Sequence, residues 1–313
     1  MASIPNLNFA KWSQGTENEK AEFVKELGAA YTDIGFITIR NHGFGEEVQD
    51  ELYDKASEFF GLEKSIKAAY EIEGLAGQRG YTSFGKEHAK GNEAADLKEF
   101  WQVGQPNPAY EGPEYHKNVS VDELPEFAPS FKLAYQQLEG IGRELLKAIA
   151  VYLELDINYF ESWVQGGNSI LRAIHYPPIT IDPGNSVRAG QHEDINLITL
   201  LMGASAEGLQ VLNKNNEWIG ITAIPGSLVV NVGDMLQRLT NGVMTSTTHR
   251  VVNPPREKWG TSRYSIPFFL HPVGKMPLNA LSNCISNDRP KAFEDITAGN
   301  YLEQRLIEIG LKK

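Results

Sequence analysis

From about Ser169 onward the chain breaks into short runs, SILRAIHY, NLITLLM, GLQVLN, SLVVNVG, HRVVN and RYSIPFFL, each rich in β-branched and aromatic residues. Gly, Pro and Asn cluster between them at the spacing of successive antiparallel strands. This series constrains the fold more than any other feature. It predicts a sandwich or barrel, so the fold class is mainly β with flanking helices.

The N-terminal half reads as helical. Thr16 and Glu19 have the spacing of a capping box, and Phe23, Leu27, Tyr31 and Ile34 follow at helical intervals until Gly35. Phe36 to Ile39 alternates like a short strand and ends at the turn Asn41-His42-Gly43. A second helix carries Val48, Leu52, Ala56 and Phe59 on one face. A third opens after Pro129 and Ser130 and aligns Phe131, Tyr135, Leu138, Leu145, Ile149 and Tyr152 over about six turns, a stripe suited to packing on a sheet. The stretch from Phe293 to Ile309 is helical again.

Residues 74–120 are the least regular. DLKEFWQVG sits there between two loop-like segments, which read either as a lid or as a surface connection held by its aromatics. No repeat or low-complexity linker divides the chain. We expect a single integrated domain over 1–313, with a mostly helical part at 1–165, the β core at 166–275 and a C-terminal segment with a helix at 276–313.

Composition narrows the function. A hydrophobic share of 41% and a charged share of 22% exclude a largely disordered chain. With 29 Lys and Arg against 40 Asp and Glu, the net charge of -11 argues against nucleic acid or anionic membrane as a partner. No stretch approaches the roughly 18 apolar residues of a membrane span. Cys284 is the only cysteine, and the start has no basic flank with an apolar run. A reducing cytoplasm and a monomeric protein are therefore the default expectations.

Three short stretches concentrate the chemistry. In GQHEDINLITLL, His192 and Asp194 are i and i+2, which on a strand share a face. TSTTHRVVNPP places His249 at the head of a later strand. Two imidazoles and a carboxylate on one face of a metal make the triad typical of non-haem Fe(II) oxygenases. Three protein ligands on an octahedral ion leave room for a bidentate cosubstrate and for dioxygen. In SRYSIPFFLHP, Arg263 and Ser265 are again i and i+2, a guanidinium fork beside a hydroxyl that can grip a carboxylate. A dicarboxylate held by iron at one end and by Arg263 at the other fits the whole set. Tyr176 in LRAIHYPP is a further candidate to bond a carboxylate or the substrate.

Arg172 shares a strand face with Tyr176. With Arg79 it hints at an acidic group on the substrate. Phe268 and Phe269 wall the site, although alternation turns one of the pair outward, and Phe268 is the candidate substrate contact. His175 points away from Tyr176, and His42, His88, His116 and His271 read as structural or exposed.

HED…H, RYSIPFF, HYPP, GFITIRNHGF and DLKEFW together resemble the isopenicillin N synthase-like branch of Fe(II)- and 2-oxoglutarate-dependent dioxygenases, over roughly residues 3–275. The resemblance implies a double-stranded β-helix (jelly-roll) core. It implies Fe(II) on His192, Asp194 and His249, and the distal carboxylate of 2-oxoglutarate on Arg263 and Ser265. It further implies oxidation of a small organic molecule by dioxygen, hydroxylation first with desaturation or ring closure as alternatives, and ascorbate as a stimulant. Where many members carry an asparagine two positions before the tyrosine, this chain has Ile174. The branch also contains oxidases that keep Arg-x-Ser without using 2-oxoglutarate. Two rivals stand beside this reading. A zinc hydrolase leaves Arg263 unexplained, and HEDIN lacks the second histidine of HExxH. A jelly-roll ligand-binding protein without catalysis is the other.

Overall fold

The computed structural model describes residues 4–75, 77–87, 95–107, 115–202, 208–222 and 224–308. The chain runs β1 (Asn6–Asn8), α1 (Ala10–Ser13), α2 (Glu17–Asp33), β2 (Phe36–Arg40), α3 (Glu46–Phe60), α4 (Lys64–Ala69), β3 (Gly80–Thr82) and β4 (Glu99–Val103). The long α5 (Phe127–Tyr152) and short α6 (Glu161–Val164) follow. Then come β5 (Ile170–Tyr176), β6 (Ala189–His192), β7 (Ile198–Met202), β8 (Leu209–Leu212), β9 (Trp218–Gly220) and β10 (Leu228–Val232). The described residues end with α7 (Asp234–Leu239), β11 (His249–Val251), β12 (Arg263–Ser265), β13 (Pro267–Leu270) and α8 (Ala298–Glu308).

Two sheets result. The larger has the order β1-β2-β10-β7-β13-β5-β4-β3, with β12 also paired to β5, and the smaller is β6-β11-β8-β9. Each apolar run singled out in the sequence is a strand. RYSIPFFL forms both β12 and β13, and its pairing with β5 keeps one register across the break. Pro267 has no N–H to give the ladder, which explains the interruption.

α2 and α5 pack on the larger sheet, α2 against β1 and β2 and α5 against β5, β7 and β13. α2 begins with the expected capping box, Thr16 and Glu19 each satisfying the other's end. It stops at Gly35, whose φ of 68° lies where a side chain is strained. α5 starts at Phe127, earlier than the sequence predicts. Pro129 therefore falls in the first turn, where its missing N–H leaves nothing unsatisfied. α8 begins at Ala298 rather than Phe293, since the Thr297 hydroxyl accepts from the Asn300 amide and caps the first turn. The expected end at Ile309 lies outside the described residues.

DLKEFWQVG is the largest difference from the sequence reading. It is neither lid nor surface loop, because Glu99–Val103 is wholly buried as β4, between β5 and β3. Cross-strand pairs with Leu171 through His175 satisfy its backbone, and Trp101 packs on Phe59 and Phe127. Aromatic content and burial on both faces removed the alternation that marks a strand.

Candidate metal centre and cosubstrate pocket

β6 ends at His192, β11 begins at His249, and the two residues are register partners. Strand pairing alone therefore brings the imidazoles side by side, with ring centroids 4.3 Å apart. Asp194 is not on the strand, as alternation predicted, but in the segment that links β6 to β7. Its carbonyl accepts from the Asp234 amide at 2.7 Å. Held there, its Oδ1 lies 4.0 Å from His192 Nε2 and 3.7 Å from His249 Nε2. One ligand atom from each residue lies within 4.8 Å of the others.

The remaining polar atoms of these side chains are already engaged. His192 Nδ1 donates to the Gly190 carbonyl at 2.7 Å, and His249 Nδ1 to the Thr247 carbonyl at 3.1 Å. A carbonyl only accepts, so each ring carries its proton on Nδ1 and turns the Nε2 lone pair inward. Burial and the neighbouring His249 lower the His192 imidazole to a pKa of about 4, which keeps it neutral. For Asp194 burial opposes ionisation, but the two imidazoles and the hydrogen bonds from Asn231 and Thr199 outweigh it and lower its pKa. Two imidazole nitrogens and one carboxylate oxygen fit a divalent transition metal.

The second group lies on the larger sheet. β12 presents Arg263 and Ser265 on one face, both buried, while Tyr264 between them turns away and stacks on His175. Arg263 is in register with Tyr176 of β5, and Ser265 with Ile174. The guanidinium carbon sits 4.9 Å from the centre of the Tyr176 ring. Ile174 packs with Phe100, Ala189 and Val251, giving this part of the wall an apolar surface. His192, Asp194, His249, Arg263, Ser265 and Tyr176 all line one cavity of about 400 Å³, within the range of small-molecule sites.

Of the residues expected to touch substrate, two are elsewhere. Arg79 is not in the cavity wall. It is buried and donates to the Gln78 and His116 carbonyls and to Asn168 Oδ1. Phe268 points the other way, edge-on to Tyr135 of α5 at 5.0 Å. By alternation it is Pro267, Phe269 and His271 that face the cavity. His271, expected to be structural or exposed, is thus a buried wall residue, and burial lowers its pKa to about 4. His42 is structural, bonded to Gly226 and Phe44. His175 bonds Glu99 and Ser262 on the far side of β5. The His116 carbonyl holds Arg79, and His88 lies outside the described residues.

Arg172 does line the cavity, but it is already neutralised. Its Nη1 pairs with Glu87 at 3.2 Å, and Glu87 also pairs with Lys98 at 2.7 Å. Lys98 in turn pairs with Asp96 at 2.8 Å. Although burial raises the Glu87 carboxyl, Arg172 and Lys98 bring its pKa down to about 2. The stabilisation this provides is present above the ordinary carboxylate range and is lost as pH falls towards about 2. Replacing Glu87 with Gln leaves the buried Lys98 and the part-buried Arg172 facing one carboxylate. We expect a loss of about 3–5 kcal/mol in denaturant unfolding at neutral pH; a change below about 1 kcal/mol contradicts the pairing.

Sequence reasoning missed Glu87, Lys98, Thr199 and Asn231, and it gave no place in the site to α8. The last contributes Leu302, Arg305 and Leu306 to the wall and is tied down by Tyr301, whose hydroxyl donates to Asp234 Oδ2 at 2.9 Å. Thr199 and Asn231 did leave a signal, being polar residues inside the apolar runs LITLL and VVNVG.

Residues 4–126 match the family model described as the N-terminal region of non-haem dioxygenases in morphine synthesis, and residues 167–272 match that of the 2OG-Fe(II) oxygenase superfamily. The chain is 30% identical to the 2-oxoglutarate-dependent dioxygenase ecdK of Aspergillus rugulosus, over 97% of this chain and 98% of that protein. It belongs to the 2OG-Fe(II) oxygenase superfamily. Solved structures agree. A 2OG-Fe(II) oxygenase family protein from Caulobacter crescentus superposes with a TM-score of 0.86 at 41% identity, covering 99% of this chain and 100% of that one. A Neurospora crassa protein in complex with alpha-KG (2-oxoglutarate) and thymine gives 0.86 at 33% identity, covering 97% and 96%. As a member of this superfamily the protein is an Fe(II)- and 2-oxoglutarate-dependent oxidoreductase that uses dioxygen, and its two sheets form the double-stranded β-helix of the family.

Proposed function

We propose that His192, Asp194 and His249 hold the Fe(II), that Arg263, Ser265 and Tyr176 hold the far carboxylate of 2-oxoglutarate, and that the protein hydroxylates a small uncharged molecule in the rest of the cavity. The observation carrying this reading is that both polar groups open into one cavity. Iron and 2-oxoglutarate supply the oxidation, in which dioxygen is consumed, 2-oxoglutarate yields succinate and carbon dioxide, and a substrate C–H becomes C–OH.

The chain's own residues orient and exclude. Arg263 supplies a charge-assisted fork for a carboxylate, and Ser265 and Tyr176 supply hydroxyls beside it. Ile170, Ile174, Leu201 and Phe269 keep the intervening wall apolar, which limits water at the reacting centre.

The substrate class follows from charge. Among the described residues, Arg172 and Lys98 are compensated by Glu87 and Asp96, and Arg305 by Glu308. An acidic substrate would therefore find no spare cation there beyond the arginine assigned to 2-oxoglutarate. Thymine, held by the Neurospora relative, is the first compound to try. We further place the enzyme in a reducing cytoplasm, in keeping with its single cysteine.

The test is a screen of small molecules with Fe(II), 2-oxoglutarate, ascorbate and air. Succinate is expected to form in step with hydroxylated product. Product without succinate would move the chain to the oxidase type, and strong turnover of carboxylates alone would contradict the uncharged-substrate reading.

A further inference from the structure

We propose that Thr199 and Asn231 are positioning residues that hold Asp194 as a one-oxygen ligand and so keep three coordination positions open on the metal. The proposal rests on the metal assignment above and concerns the far oxygen of that carboxylate. Asp194 Oδ2 accepts from Thr199 Oγ1 at 2.6 Å and from Asn231 Nδ2 at 2.8 Å. A carboxylate oxygen has about two lone pairs in the plane, and both are taken. Only Oδ1 remains directed at the imidazoles.

The Thr199 hydroxyl is itself oriented. Its oxygen accepts from Asn196 Nδ2 at 3.0 Å, and the same amide group donates to the Ile198 carbonyl at 3.0 Å. Two acceptors lie in reach of the hydroxyl proton, Asp194 Oδ2 at 2.6 Å and Asn196 Oδ1 at 3.4 Å, and the much shorter contact directs it to Asp194. The relay from Asn196 through Thr199 to Asp194 is almost wholly buried, so water does not compete for these bonds.

The backbone sets the spacing. Thr199 of β7 and Asn231 of β10 are register partners, so the ladder fixes two donors side by side beneath one oxygen. Gly233 allows Asn196 to approach, because a Cβ there would meet the Asn196 carbonyl oxygen at 2.2 Å and its Oδ1 at 2.3 Å.

The consequence concerns coordination number. An octahedral ion with one atom from each of three residues keeps three positions for other ligands. If Asp194 bound through both oxygens, two would remain, and a bidentate keto acid would fill both. The clamp thus reserves a position for dioxygen.

The test uses the full chain with Mn(II) alone, without 2-oxoglutarate, and reads water-proton relaxivity per bound ion. The wild-type protein is expected to show three exchangeable water ligands. In the double variant Thr199→Val with Asn231→Leu, Asp194 is free to rotate and chelate. Relaxivity is then expected to fall by about a third, from three waters to two on a six-coordinate ion. Each single variant should show a smaller fall, and Thr199→Ser, which keeps the hydroxyl, should restore the wild-type value. Should the double variant fail to fold, the single variants carry the comparison. Unchanged relaxivity in the valine and leucine variants overturns the proposal, as does an equal fall in Thr199→Ser. A wild-type protein that takes up no Mn(II) overturns the metal assignment and the clamp with it.

Discussion

Asp194→Ala is expected to reduce Fe(II) affinity by more than about 100-fold and to abolish succinate formation, since partners outside the ligand set alone account for 10- to 100-fold elsewhere. Its carboxylate is the only anionic donor of the three, and its lowered pKa keeps it ionised throughout the neutral range. Without it, two imidazoles remain and the Thr199 and Asn231 donors lose their acceptor. Anaerobic titration with Fe(II) measures the affinity, and thermal unfolding of the metal-free protein separates it from misfolding. Retained turnover in the Ala variant would refute the ligand assignment. His192→Ala should behave alike.

Arg263→Ala is expected to raise the 2-oxoglutarate requirement with little change in Fe(II) affinity. Truncating one partner of a buried, hydrogen-bonded charge pair costs on the order of 2–5 kcal/mol, which is roughly 30- to 4,000-fold in affinity. The guanidinium is buried on β12, on the sheet opposite the strands bearing the two histidines, so its loss leaves the imidazoles in place. Arg263→Lys keeps the charge but not the fork and should fall between the two. The measurements are the apparent KM for 2-oxoglutarate, at saturating iron, and the Fe(II) dissociation constant. Parallel losses in both would point to general collapse.

The strands of the β half were legible because each run is short, β-branched and bounded by turn residues. The metal ligands were legible as a set because His192 and His249 both stand at strand ends, although only the pairing of β6 with β11 shows why they meet. Strand alternation correctly separates Phe268 from Phe269, yet it carries no sign. Which of the two faces the cavity is decided by α5, whose Tyr135 takes Phe268.

Charge partners were not legible at all. Arg172 taken alone looks like a receptor for an acid, and only the fold brings Glu87 to it. Neither residue lies within a local spacing that would pair them. β4 was hidden for a different reason, since a strand buried on both sides has no polar face to reveal its period.

The two histidines belong to the smaller sheet and the arginine and serine to the larger. On the proposed assignment the gap between the layers acts as a ruler for the cosubstrate's carbon skeleton. A keto diacid one methylene shorter or longer could satisfy either end but not both, so selectivity among such acids is built into the stacking distance of the sandwich rather than into any single side chain.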